Sequence, residues 1–160
     1  MKDHRQRCFC LAAALALSSC TGERPFLQVQ FCVADSQGVN LLKTTLQDIA
    51  QDEHMRYIDG GEAAIRDLKV LRPAGENNHM DGRLVYVGVV GDGHSLEGGN
   101  LGLNPYDISV GFGPDTAASR AFSQRVVARL ERHWTLAVVP KDSGALPSPE
   151  CVEGTETPPY

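Results

Sequence analysis

The stretch RLVYVGVVGDGHSLEGGNLGLNPYDISVGF, residues 83–112, decides the fold. It opens on a β-rich run, Arg83 to Val90, in which Val85, Val87 and Val89 share one face. It closes on a second run, Tyr106 to Phe112, in which Ile108, Val110 and Phe112 alternate with polar or small residues. Alternation with a period of two marks a half-buried strand. The two runs are expected to pair antiparallel, with a long, polar, glycine-rich connection between them lying in solvent.

Working outward, Leu27, Val29, Phe31 and Val33 alternate with Gln28, Gln30 and Cys32 in a strand over residues 26–34, which turns Cys32 away from the main core face. Asp35 and Ser36 are capping types, and Val39, Leu42, Leu46 and Ile49 follow at spacings of three and four, predicting a helix from Gln37 to about Glu53. Residues 56–71 read less clearly. MRYIDGG suits a short strand ending in a turn, and Ala64, Ile65, Leu68 and Leu71 suit one face of a short helix. Pro73 to Gly82 reads as a polar loop. Beyond the pair, Pro114 and Asp115 mark a stop and an N-cap. A helix over 116–133 carries Ala118, Phe122, Val126 and Leu130 inward, with Trp134 also placed in the core, and TLAVVP is a last strand stopped by Pro140. The resulting order, β-α-β-β-α-β, predicts an α+β fold of the split βαβ, or ferredoxin-like, arrangement, with two main helices on one face of a four-stranded sheet. A five-stranded variant adds Arg56 to Asp59. The domain is expected over 26–140, followed by a Pro/Gly/Glu-rich tail, 141–160, disordered beyond Cys151.

The segment Gly88 to Gly102 invites catalytic readings that its spacing refuses. After Gly91 and Gly93 a dinucleotide fingerprint needs a third glycine where Leu96 stands, and no Lys-Ser/Thr follows Gly98 as a P-loop requires. A nucleophile elbow around Ser95 needs glycine where Glu97 stands. NNHMDG fails as a calcium loop, because the twelfth position from Asn77 is Gly88 and not a bidentate glutamate. Asp92, His94 and Glu97, with a further ligand from His54, His79 or Asp81, have the chemistry of a metal set. The plainer reading is a polar hairpin loop with solvated side chains, so no metal, no cofactor and no catalytic residue is expected. Arg125, Arg129 and Arg132 form a stripe on the second helix whose guanidinium forks suit a carboxylate-rich partner. The plainer alternative for them is a solvated helix face.

At the amino terminus, Lys2, Arg5 and Arg7 precede an apolar run from Cys8 to Leu17 and two serines. This is the pattern of a secretory signal and is too short for a permanent span, which needs about 20 apolar residues. Leu17-Ser18-Ser19-Cys20 resembles the lipobox of bacterial lipoproteins. The resemblance covers only Met1 to Cys20. It implies removal of residues 1–19, a diacylglycerol on the Cys20 sulfur, acylation (palmitate) of the new terminus and a periplasm-facing protein. Thr21 follows the cysteine in place of the aspartate associated with inner-membrane retention, so the resemblance implies the outer membrane. The tether, residues 20–25, then holds the domain close to its membrane: Thr21 to Pro25 span about 17 Å when extended.

Removing the signal leaves 12 basic and 19 acidic side chains, a net charge near −7, which disfavours nucleic acid and anionic lipid headgroups as partners. Cys32 and Cys151 are then the two thiols of the domain, and export to an oxidising compartment favours a bridge between them over two buried, unpaired cysteines. Address and architecture together lead to the expectation of a lipid-anchored binding module, an accessory or an immunity-type inhibitor for another envelope protein. The alternatives are a small periplasmic enzyme, metal- or ligand-binding protein using residues 88–102, and a purely structural lipoprotein.

Overall fold

A computed structural model of the chain describes residues 24–71, 84–100, 104–143 and 151. The elements run β1 (Leu27–Cys32), α1 (Ser36–Asp52), β2 (Arg56–Asp59), α2 (Gly61–Leu71), β3 (Tyr86–Gly91), β4 (His94–Asn100), β5 (Asp107–Gly113), α3 (Ala117–Leu130) and β6 (Ala137–Val138). The strands form one six-stranded sheet in the order β2-β3-β4-β5-β1-β6, antiparallel at every step. With three helices, the fold is α+β.

The expected partnership of residues 83–90 with 106–112 is replaced by a three-strand meander, because His94–Asn100 is itself a strand between them. The connection therefore contains a strand, and among the described residues the sheet has six strands, not four or five. The strand hides in the sequence because Leu96 is its one apolar residue and its neighbours need glycine for space. A Cβ on Gly99 would lie 2.6 Å from the Val85 carbonyl oxygen, and one on Gly98 would lie 3.0 Å from Val110 Cγ2. Asp92 and Gly93 make the turn between β3 and β4, and Gly93 adopts φ 78°, a left-handed conformation that glycine reaches without steric cost.

Alternation assigns the two faces. Val29, Phe31, Val87, Val89, Leu96, Ile108, Val110 and Phe112 point to one side, where Leu42, Leu46 and Ile49 of α1 and Phe122, Val126 and Leu130 of α3 close a single core. Each of these buried side chains is worth about 1.5–3 kcal/mol of transfer free energy. The caps are short-range. Gly38 N–H donates to Asp35 Oδ1 at 2.8 Å, and Ser119 N–H donates to Thr116 Oγ1 at 3.1 Å. Thr116, not Asp115, therefore caps α3, while Asp115 holds the Arg120 guanidinium through Nε at 2.7 Å. The helix stops at Leu130, and the Trp134 ring beyond it stacks on Phe31 with centroids 5.3 Å apart. The last strand shrinks to two residues, although Val139 N–H still donates to Gln28 oxygen at 2.9 Å. The short strand at Arg56 and the helix after it are both present.

Cys32 and Cys151 are bonded to each other, with Cα atoms 5.6 Å apart, and both are buried. No helix among the described residues is long and apolar enough to cross a membrane. The signal segment, Cys20, the Pro73–Gly82 loop and the tail past Cys151 lie outside the described residues.

Candidate functional site

The positions on and beside β4 separate the candidate metal set. His94 sits on the helix side, its ring 4.9 Å from that of Phe122, whereas Glu97 is exposed on the opposite face. Asp92 stays in the turn, its carbonyl oxygen 3.2 Å from His94 Nδ1. One metal ion cannot collect these side chains without breaking the strand.

Two members of the arginine stripe make ion pairs with α1 and its C-cap on the surface of the domain. Arg125 grips Glu53 at the end of α1 with two bonds, Nε to Oε1 at 2.6 Å and Nη2 to Oε2 at 2.7 Å. Arg129 reaches Asp52 Oδ2 at 2.7 Å. Arg132 alone of the three has no ion pair among the described residues. The bond from Arg125 holds the Glu53 carboxyl below its ordinary value, so the pair contributes stability above the unfolded value near 4.5 and loses it as pH falls through the lowered folded value. Arg125→Ala is therefore expected to cost about 0.5–1 kcal/mol at neutral pH, the range for an exposed pair with good geometry. The difference should vanish in acid, which urea unfolding of both proteins at pH 7 and pH 2 would read.

The sheet face opposite the helices presents a different surface. At one end it is closed, where Cys151 meets Cys32. There Gln30 and Asp107 are buried, with Gln30 Nε2 donating to Asp107 Oδ1 at 3.1 Å. Burial raises the Asp107 carboxyl above its ordinary value, against the opposing pull of that bond. Asn104 Nδ2 donates to the Cys151 carbonyl at 2.7 Å and holds this end together.

Toward the other end the same face opens into a depression of about 820 Å³. Its floor is backbone at Gly98 and Gly99 of β4 together with Ser95 and Ser109, and its walls are Tyr86 on one side and Arg24 and Pro25 on the other. Gln28 Nε2 donates to Ser109 Oγ at 2.7 Å, and Ser95 Oγ donates to the Gly113 carbonyl at 3.3 Å. Glu97 rises from the middle. Its partners in register are Gly88 on β3 and Gly111 on β5, so neither neighbouring strand sets a side chain of its own directly beside it, although Ile58 of β2 lies against Gly88. Pro25 lies over Gly111, its Cβ 3.0 Å from where a Cβ on that glycine would stand. Glu97 and Arg24 make no ion pair among the described residues. The arrangement is suited to binding: two unspent charges of opposite sign, hydroxyl and amide groups, and a wall of exposed aromatic ring.

Sequence reasoning missed this face because it treated residues 91–105 as loop. The signal was present in the Asp-Gly pair, a two-residue hairpin mark, followed by an alternation in which glycine stands for the small member. No protein-family model matches the chain, and no curated protein matches it.

Proposed function

We propose that this protein is a bacterial lipoprotein, anchored through acylated Cys20 and facing the periplasm, the outer membrane being favoured. Its small domain binds another envelope protein, as an accessory or an immunity-type inhibitor, and it is not an enzyme. The observation that carries the binding role is the open face itself. Both α1 and α3 cover one side of the sheet, and the opposite side keeps an uncovered polar depression beside the point where the chain enters the domain. In this reading Arg24, at the rim, is four residues from the anchor, about 14 Å of extended chain, so the depression faces partners held at the membrane. The order β6-β1-β5-β4 with α1 and α3 supports a split βαβ core, widened at the β4 edge by the inserted β2, α2 and β3.

The test uses the anchored protein in intact envelopes. A photoreactive side chain at Tyr86, which is 42% exposed, is expected to capture one defined protein, and the same group at Leu41 on α1, equally exposed, is expected to capture none. Cys20→Ala should move the protein out of the membrane fraction and abolish the capture. A Cys20→Ala protein that stayed anchored, or capture equal from both positions, would reject the proposal.

A further inference from the structure

We infer that the open face recognises a single arginine in an extended segment of its partner, with the guanidinium seated on Glu97; this rests on the open face being the partner surface. The carboxylate is exposed, and its partners in register are both glycines, with Pro25 standing over Gly111 on one side and Ile58 against Gly88 on the other, so the two together bound the approach to it. Bare backbone at Gly99 beside it lets a flat, strand-like segment approach closely.

The choice of arginine follows from the wall. Tyr86 is opposite Gly99 and Glu97 is opposite Gly88, so the two are diagonal neighbours on one face, about 7 Å apart. The far side of the Tyr86 ring rests on Gly60, where a Cβ would come 2.4 Å from Cδ1, and this seat fixes the ring. A planar guanidinium can set its fork on the carboxylate and turn its face toward an aromatic neighbour, whereas an ammonium satisfies the carboxylate alone. The opposite rim sets a limit on charge. Arg24 repels a second cation and attracts an acid, while Asp115 at the end of the depression is already held by Arg120. The segment that fits therefore carries one arginine beside an acidic residue, not a basic run.

The experiment titrates the mature, anchored chain in detergent micelles with a blocked Thr-Arg-Thr-Asp peptide and with its citrulline analogue, which keeps the shape and loses the charge. The arginine peptide is expected to shift the amide resonances of Gly88, Glu97 and Gly99, with the citrulline peptide weaker by roughly tenfold or more, as befits loss of a charge-assisted bidentate contact. Glu97→Gln should abolish the difference and Glu97→Asp should keep it. Equal binding of the two peptides, or a preference undiminished in Glu97→Gln, would overturn the inference. In envelopes, capture from position 86 that persists at full yield in Glu97→Gln would also overturn it while leaving the proposed function standing. Absence of any capture from position 86 would remove the proposed function itself.

Discussion

Replacing Cys151 by serine is expected to lower the free energy of unfolding by about 2–5 kcal/mol, the range for loss of a native disulfide from a small domain. The bond joins residues separated by 119 positions, so in the chain-entropy account it removes a large share of the freedom of the unfolded chain. It also closes the buried end of the open face, where Cys32 and Cys151 are both nearly inaccessible and Asn104 holds the Cys151 carbonyl. The midpoint of thermal unfolding should fall by roughly 8–20 °C. Urea unfolding of the parent protein with and without reductant supplies the same measurement without mutation. Coincident curves would mean that the thiols are free in the native protein.

A second large effect is expected at Gly99, where the structure and the loop reading of residues 91–105 differ most. As a loop residue, Gly99→Val would change stability by no more than about 0.5 kcal/mol. In the strand, the added Cβ meets the Val85 carbonyl oxygen at 2.6 Å. The Cβ position is set by the paired backbone of Gly99 and the oxygen belongs to backbone held by Asn100 N–H, so no rotamer change relieves the contact and the β3–β4 ladder must shift, at about 3 kcal/mol. Asn100 would be disturbed as well, since its Oδ1 accepts from Val85 N–H at 2.8 Å. Gly93→Ala is the comparison: nothing lies within 4 Å of its missing Cβ, and only the φ of 78° resists, at about 1–2 kcal/mol. An order reversed between these two variants would place the strand assignment in error.

The legible parts of the fold were those in which a buried side chain recurs with the period of its element. Val29 and Phe31, then Leu42, Leu46 and Ile49, then Phe122, Val126 and Leu130 all lie in the core that their spacing predicts. The disulfide was legible by a different route, from compartment and cysteine count. Illegible was β4, where close approach of backbones replaces apolar side chains with glycine and so erases the alternation. The open face followed β4 into obscurity: Glu97 looks like a loop carboxylate until the strand places it between Gly88 and Gly111. The partners of the arginine stripe were illegible for the opposite reason. Its spacing was correctly read as one face of α3, but spacing on one helix carries no word of Asp52 and Glu53 at the end of another.

The position of β1 has a mechanical consequence. The chain enters the domain at Phe26, whose N–H donates to Phe112 oxygen at 3.0 Å, and runs directly into a strand with neighbours on both sides. Under the proposed anchoring, a pull between tether and partner would load β1 along its own length. Ladder bonds in an antiparallel pair stand perpendicular to the strands, so the six residue pairs from Leu27–Phe112 to Cys32–Asp107 share that load together and do not open one after another like a zip. At the far end of the same strand Cys32 is covalently clamped to Cys151, so that the chain cannot be drawn out past this rivet while the bond is intact.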